Sequence, residues 1–291
     1  MTHSNIAFIG FGEASNAIVE GWAGHGPQAL RAYDTKLDDD EARGAMLARM
    51  QSAGVGTALT NADLVKNADI IFSFVTADQA NIAAIQTAKN IAKGALFFDC
   101  NSCAPDTKRA SAKIINAAGG RYVDVAIMSP VYPKMNKSPL LVSGQYAQDA
   151  VQVFKDLDMA PTLIEGDIGI ASATKMIRSI MVKGMEALMA EAVLAGCRAG
   201  VDVRVLASLD KSFPGFDWAD KAAYDLERMM LHGKRRAAEM REVALTIEQL
   251  GLPNDMANAI VEWQDRIGNL NLDAGEADYR TRADRVTQKI T

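Results

Sequence analysis

The pattern of apolar positions changes character near the middle of the 291-residue chain. In the first part, short apolar runs alternate with segments in which apolar residues recur every three to four positions. This pattern is typical of strands that alternate with helices. From residue 166 onward, only the helical period continues. We therefore predict an α/β domain with a doubly wound parallel sheet over residues 1–165 and an all-helical domain over residues 166–291.

The predicted strands of the first part are short and apolar, and they cover residues 5–9, 29–33, 69–75, 96–98, 122–126, 140–144 and 161–164. Long helices are predicted in the second part at 170–195, 218–250 and 253–267. A break is predicted at 207–217, where Pro214 and Gly215 occur. The first of these helices carries more apolar surface than a small domain can cover, which predicts a homodimer.

A glycine-rich turn follows the first predicted strand, and it consists of Gly10, Phe11, Gly12, Glu13, Ala14 and Ser15. Gly10 permits a tight turn, and Gly12 allows the backbone to approach a pyrophosphate, which the next helix attracts with its unpaired N–H groups. Ser15 stands in place of a third glycine. The six residues predict a Rossmann-type dinucleotide site. The alternative is an ordinary glycine turn, which any α/β protein can contain.

An acidic residue closes the second predicted strand. Asp34 lies about twenty positions after the glycine turn, where a carboxylate can bind a ribose 2′-hydroxyl. The same carboxylate would repel a 2′-phosphate, so NAD is favoured over NADP, while Lys36 keeps NADP open. The alternative is a solvated turn acid, since three more aspartates follow at 38–40.

Further candidate contacts follow the later strands, because ligands of open α/β sheets lie at the carboxyl ends of strands. Val75 and Thr76 end the third predicted strand, and we expect them to contact the cofactor. Asn101 and Ser102 end the fourth, where amide and hydroxyl groups can meet nicotinamide and substrate. We assign Asn101 to both cofactor and substrate, and Ser102 to the substrate.

Cys100 and Cys103 flank these two residues in a CxxC spacing. The spacing could indicate a redox pair or half of a metal site. Cys197 and three scattered histidines supply no second pair of ligands, so we predict no metal.

The composition narrows the class of protein. A net charge of −5 without a long basic run argues against nucleic-acid binding. Three cysteines and the absence of a secretory signal pattern predict a cytoplasmic protein. The longest apolar region, 168–197, is interrupted by charged residues, so we expect no membrane span.

Lys175 stands out in the first turns of the predicted apolar helix. Arg178 and Ser179 follow at i+3 and i+4, so the three side chains share one side of the helix. Desolvation and a neighbouring cation would lower the pKa of a partly buried lysine, which suits a general acid and base. The alternatives are a lysine that extends to solvent or one that pairs with Asp167.

Four motifs now occur in order. They are the glycine turn, residues 99–102, residues 124–130, and the group of Gly169, Lys175 and Ser179. In this order, the chain resembles the β-hydroxyacid dehydrogenase family, which includes 3-hydroxyisobutyrate dehydrogenases and is similar to 6-phosphogluconate dehydrogenase. The resemblance covers nearly the whole chain.

The resemblance implies a catalytic role for Lys175, a substrate contact for Ser129, and a cofactor contact for Arg236 in place of the family's late Lys-Asp. It also implies a homodimer. The chain departs from the family in three places. Ser-Gly-Gly is replaced by Met128-Ser129-Pro130, the asparagine after the lysine is replaced by Ser179, and the acid after the late cation is lost. These departures place the chain in a divergent branch.

We expect the substrate to be a small anion, because the cation of Arg178 can bind one. Lys183 lies about 80° round the helix from Lys175, so Lys183 could reach the same substrate. We predict an NAD(P)-dependent oxidoreductase that oxidises the hydroxyl of a small β-hydroxyacid, or reduces the corresponding carbonyl. One alternative is an imine reductase, although such enzymes generally lack the lysine. The other is a non-catalytic NAD-binding regulator.

Overall fold

The computed structural model of the chain describes residues 5–23, 27 and 29–290. It divides into two compact units, one that ends at Lys175 and one that begins at Met176. The predicted domain boundary after residue 165 stays a prediction. The first turn of the helix that begins at Ile170 is bound within the first unit, where the carboxylate of Asp124 accepts the Gly169 N–H at 3.0 Å.

The first unit contains one eight-stranded sheet. Its strands are β1 (Ile6–Ile9), β2 (Leu30–Tyr33), β3 (Gly56–Thr57), β4 (Ile70–Ser73), β5 (Leu96–Asp99), β6 (Arg121–Ile127), β7 (Pro139–Ser143) and β8 (Ala160–Leu163). They are ordered β3-β2-β1-β4-β5-β6-β7-β8, and every neighbouring pair is parallel except β6 and β7. The α/β prediction is confirmed. Strand β3 has only two residues and was not predicted.

Helices connect these strands, and they are α1 (Glu13–Gly21), α2 (Asp40–Ser52), α3 (Asn61–Val65), α4 (Ala80–Ala88), α5 (Pro105–Ala117) and α6 (Ala147–Asp156). The chain passes from β1 outward to β3 and then returns to β4 on the other side of β1. This reversal of strand order beside β1 is where open α/β sheets bind ligands, at the carboxyl ends of the strands.

Aromatic side chains pack the centre of the sheet. Phe8 of β1 stacks on Phe72 of β4 with ring centroids 5.2 Å apart, and Phe98 of β5 meets Phe154 of α6 at 4.4 Å. All four side chains are fully buried. Because such rings bury large apolar areas in fixed geometry, they hold the ends of β1, β4 and β5 at defined positions.

The second unit is helical, as predicted. Its helices are α7 (Ile170–Ala199, which starts in the first unit), α8 (Asp202–Ser212), α9 (Trp218–Gln249), α10 (Asp255–Gly268) and α11 (Tyr279–Thr287). The predicted break at 207–217 is wrong in its first half, because α8 continues to Ser212, and α11 was not predicted. None of the helices in the described residues is both long and apolar enough to cross a membrane.

Two glycines set the crossing of α9 and α10. A Cβ on Gly233 would lie 2.4 Å from the carbonyl oxygen of Gln264 and 2.7 Å from the Cα of Gly268. A Cβ on Gly268 would lie 2.6 Å from the Lys234 nitrogen. The two backbones therefore approach more closely at this point than any other residue type allows.

Candidate functional site

The glycine turn has the geometry that the sequence predicts. Gly10 has a φ of +83°, and a Cβ there would lie 2.3 Å from the carbonyl oxygen of Phe74. By contrast, a Cβ on Gly12 would meet no atom within 4 Å, so the backbone at the start of α1 borders open space. Gly12 caps α1 without a side-chain hydrogen bond. The backbone N–H groups at the amino end of α1 are therefore accessible to an anion.

Ser15 also has a structural role in this turn. Its hydroxyl is buried and donates to the carbonyl oxygen of Gly10 at 2.7 Å. A serine in place of the third glycine thus ties the first turn of α1 to the end of β1. Phe11 is buried, with its ring edge against Phe8.

Asp34 follows β2 and faces the same turn. Its carboxylate accepts the Phe11 N–H at 2.8 Å and the Lys36 N–H at 3.0 Å. A carboxylate has about four acceptor positions, so two remain for a hydroxyl group. Asp34 therefore orders the glycine turn and can still bind a ribose hydroxyl.

Asn101 joins the ends of β4 and β5. Its side-chain oxygen accepts the Val75 N–H at 2.6 Å, and its amide group donates to Ser73 at 3.0 Å and to Asp99 at 2.8 Å. The side chain is buried. Both amide hydrogens have protein partners, so Asn101 shapes the strand ends, and its predicted contact with ligands stays a prediction. Val75 is half-buried there and Thr76 is exposed.

Lys175 and Ser102 lie 73 residues apart in sequence and meet in the first unit. The Lys175 Nζ donates to the Ser102 Oγ at 2.6 Å, and both side chains are half-buried. The structure thus brings together the predicted catalytic lysine and a predicted substrate contact. Ser129 follows β6, and its hydroxyl donates to the carbonyl oxygen of Pro130 at 3.0 Å.

A buried polar network lies behind these residues. Asp99 accepts hydrogen bonds from the Tyr122 hydroxyl at 2.7 Å and from the Lys108 Nζ at 2.9 Å. Burial lowers the pKa of Lys108. The nearby negative charges, with Asp99 foremost, raise this pKa by a larger amount, so it lies above the usual value. Lys108 is therefore an ammonium ion at neutral pH.

Sequence reasoning missed Lys108. The signal was its position in α5, where Pro105, Lys108, Ala112 and Ile115 recur at helical spacing and are all buried. A lysine in an apolar stripe has to find a buried anion.

The two neighbouring cysteines are reduced and buried. Burial raises the pKa of the Cys100 thiol well above its usual value. Within residues 5–23, 27 and 29–290, no group of three or more histidine, cysteine or acidic side chains could hold a metal. That the protein binds no metal stays a prediction.

The remaining predicted residues belong to the second unit. Arg178 is exposed and Ser179 is buried. Lys183 is buried and its Nζ lies 2.8 Å from a carboxylate oxygen of Glu239. Arg236 is buried in a bidentate pair with Glu186, in which one N–O distance is 3.0 Å.

A cavity of about 390 Å³ is lined by residues that are close to Arg236 in sequence, but Arg236 itself does not line it. The cavity is bordered by residues of α9 and the end of α10, among them His232, Lys234 and Arg235. The predicted cofactor contact of Arg236 stays a prediction.

Comparison with known proteins gives the family. Residues 5–157 match the NAD binding domain of 6-phosphogluconate dehydrogenase, and residues 197–267 match a domain of unknown function, DUF1932. A conserved hypothetical protein of Sinorhizobium meliloti is 38% identical, with a TM-score of 0.78 over 98% of this chain and 96% of that one.

Two further relatives have names. The mitochondrial 3-hydroxyisobutyrate dehydrogenase of Drosophila melanogaster is 26% identical, over 88% of this chain and 78% of the relative. The 3-hydroxyisobutyrate dehydrogenase of Mycobacterium tuberculosis shares the fold, with 14% identity and a TM-score of 0.73 over 97% of this chain and 98% of that one. The low identities fit a divergent branch. The first unit is thus a nicotinamide dinucleotide-binding domain, and the chain belongs to the family of 6-phosphogluconate and 3-hydroxyisobutyrate dehydrogenases.

Proposed function

We propose that this protein is an NAD(P)-dependent oxidoreductase that oxidises the hydroxyl of a small β-hydroxyacid, or reduces the corresponding carbonyl. The observation that supports this proposal best is the 2.6 Å hydrogen bond between Lys175 and Ser102, within a nicotinamide dinucleotide-binding domain. A lysine side chain and a hydroxyl beside the carboxyl end of β5 are suited to bind a substrate hydroxyl, and the lysine in its neutral form can take the proton of that hydroxyl.

The residues around the glycine turn fit a dinucleotide. Gly12 would let the pyrophosphate approach the amide end of α1, and Asp34 would accept the ribose 2′-hydroxyl. When bound, the dinucleotide would supply the acceptor for the hydride that leaves the substrate carbon. The preference for NAD over NADP is part of the proposal and rests on the carboxylate of Asp34, which would repel a 2′-phosphate.

Lys175 would act as the general base in oxidation. A neutral Lys175 amine takes the proton of the substrate hydroxyl, and in reduction the ammonium returns it to the carbonyl oxygen. Ser102 would hold the Nζ of Lys175. Its hydroxyl would also donate a hydrogen bond to the same substrate oxygen or accept one from it. Ser129 would bind the substrate's polar groups, and Ser179, four residues after Lys175 on α7, would orient the substrate or the lysine.

The substrate would carry an anionic group. Arg178 is the candidate for binding it, because its side chain is exposed and lies three residues after Lys175 on α7. Lys183 and Arg236, the other two cations proposed for binding, are paired with the half-buried carboxylate of Glu239 and the buried carboxylate of Glu186. Their part in binding would require those pairs to open, so we give Arg178 the larger role.

The test is a substrate panel with the purified protein. We expect NAD reduction with one or more small β-hydroxyacids and none with the matching acids that lack the hydroxyl. The same preparation is then offered cyclic imines with NADPH, which tests the imine reductase alternative. Turnover of imines alone would overturn the proposal. Binding of NAD without turnover of either class would favour a non-catalytic regulator.

A further inference from the structure

Lys108 lies between two buried aspartates of the first unit. Its Nζ donates to the carbonyl oxygen of Asp99 at 2.6 Å and to the carboxylate of Asp99 at 2.9 Å, and it lies 3.4 Å from the carboxylate of Asp124. All three side chains are completely buried. The single ammonium therefore bridges the end of β5 and the middle of β6.

The first aspartate organises the segment that presents Ser102. The carboxylate of Asp99 accepts the backbone N–H of Asn101 at 3.1 Å and its side-chain amide at 2.8 Å. Because Ser102 is the next residue, its position depends on this carboxylate.

The second aspartate organises the start of α7. The carboxylate of Asp124 accepts the N–H groups of Gly169 at 3.0 Å and Ser172 at 3.1 Å, and also the Ser172 hydroxyl. An anion at the amino end of a helix satisfies backbone donors that have no partner within the helix. Lys175 lies three residues after Ser172, so Asp124 fixes the turn that carries it.

We infer that Lys108 is a positioning residue: by holding Asp99 and Asp124 together, it sets the distance between Ser102 and Lys175. The contacts form a closed ring. Lys108 contacts both aspartates, Asp99 positions Ser102, and Asp124 positions Lys175. The hydrogen bond between Ser102 and Lys175 closes the ring. This inference rests on the proposed function, in which Ser102 and Lys175 act on the substrate.

Stability alone is a weak reason for this arrangement. Buried ion pairs contribute little compared with apolar residues of the same volume, because both charges lose their hydration. A lysine between two carboxylates does, however, fix both of them, since removal of the cation leaves two buried anions of like charge. The geometry is thus suited to hold two segments in register.

The test compares Lys108→Met with Lys113→Met, a matched control on the exposed side of the same helix. Since a displacement of about 1 Å can cost about 10²-fold in rate, we expect kcat of Lys108→Met to fall by that order while the KM for NAD changes little. Lys113→Met should retain the parent kcat. Ser172→Ala, which loosens Asp124 without a change of charge, should lower kcat less, and it carries the test if Lys108→Met does not fold.

A double-mutant cycle separates positioning from a general loss of stability. If Lys108 acts through Ser102, its replacement should cost much less in a Ser102→Ala background. Equal factors in both backgrounds would overturn the inference.

A second measurement needs no turnover. The acylation rate of Lys175 by acetic anhydride, read by peptide mass spectrometry against the exposed Lys155, should rise several-fold in Lys108→Met or Ser172→Ala. An unchanged rate would also overturn the inference. A raised rate in a protein that oxidises no hydroxyacid would support the positioning and reject the proposed function.

Discussion

At the scale of single residues, the strongest expectation concerns Lys175. We expect Lys175→Met to lower the rate by about 10² to 10⁴, which is typical for the loss of a positioned general base. NAD should still bind with near-normal affinity, because the glycine turn and Asp34 are unchanged. Steady-state kinetics with a substrate from the panel, together with a cofactor titration, measures both quantities.

Lys183→Met is the matched control on the same helix, and its effect should be milder, because Lys183 is paired with Glu239. A protein that tolerates Lys175→Met and is inactivated by Lys183→Met would show that we have named the wrong lysine. If both variants remain active, the acid–base role fails.

The choice of cofactor is also a matter of one residue. Asp34 should select NAD, and titrations followed by protein fluorescence should give a tighter dissociation constant for NAD than for NADP. In Asp34→Asn the preference should weaken, because the amide no longer repels a 2′-phosphate. Preferred NADP binding by the parent protein would sink the assignment of Asp34.

At the scale of elements, the crossing of α9 and α10 leads to a prediction about stability. Gly233→Ala places a methyl group 2.4 Å from a backbone oxygen, and overpacking of this kind typically costs about 1–3 kcal/mol. Gly44→Ala in α2 is the control, since its Cβ would meet no atom within 4 Å, and alanine should stabilise that helix by roughly 0.5–1 kcal/mol. Urea denaturation measures both changes. Equal stability of the two variants would contradict the close approach.

Helix α11 was not predicted, and the reason is physical. Helix α11 has only a short apolar stripe, at Tyr279, Ala283 and Val286. It is also anchored by Arg282, whose buried guanidinium donates to the carbonyl oxygens of Ala223 at 2.6 Å and Ala274 at 3.1 Å. Lys108 of α5 is a second buried cation whose role the sequence did not reveal. A charged residue in a helix predicts a solvated face, so the pattern of apolar positions conceals the buried roles of Arg282 and Lys108.

The strands and the glycine turn were predictable for the opposite reason. Strands β1, β4 and β5 are apolar and buried throughout, apart from the polar residues that end them, and a turn that needs a positive φ selects glycine. Asn101 shows the limit of this reasoning. Its place at a strand end was evident from the sequence, but its engagement by Ser73 and Val75 depends on the end of β4, which is distant in the chain.

At the scale of the whole molecule, we predict a homodimer. Apolar side chains on α7 remain exposed in the single chain, at 48% for Ile177, 66% for Met181 and 61% for Leu188. Their spacing of four and seven residues places them on one face of the helix. Light scattering at micromolar concentration should give the mass of two chains.

Met181→Asp should shift the equilibrium from dimer toward monomer, because burial of an unpaired carboxylate in the interface has a large unfavourable free energy. Leu59→Asp changes an equally exposed apolar residue of the first unit and should leave the mass unaltered. A monomeric mass for the parent protein would refute the dimer.

The binding of the first turn of α7 by Asp124 has a consequence for recombination between relatives. An exchange of helical domains at residue 165, where the pattern of the sequence changes, would separate Asp124 from Gly169 and Ser172 unless the incoming chain supplied equivalent donors. A junction placed after Lys175 keeps these partners on one parental sequence. Chimeras joined there should inherit Lys175 together with the sheet that holds the start of its helix, so that the helical domain becomes the exchangeable part.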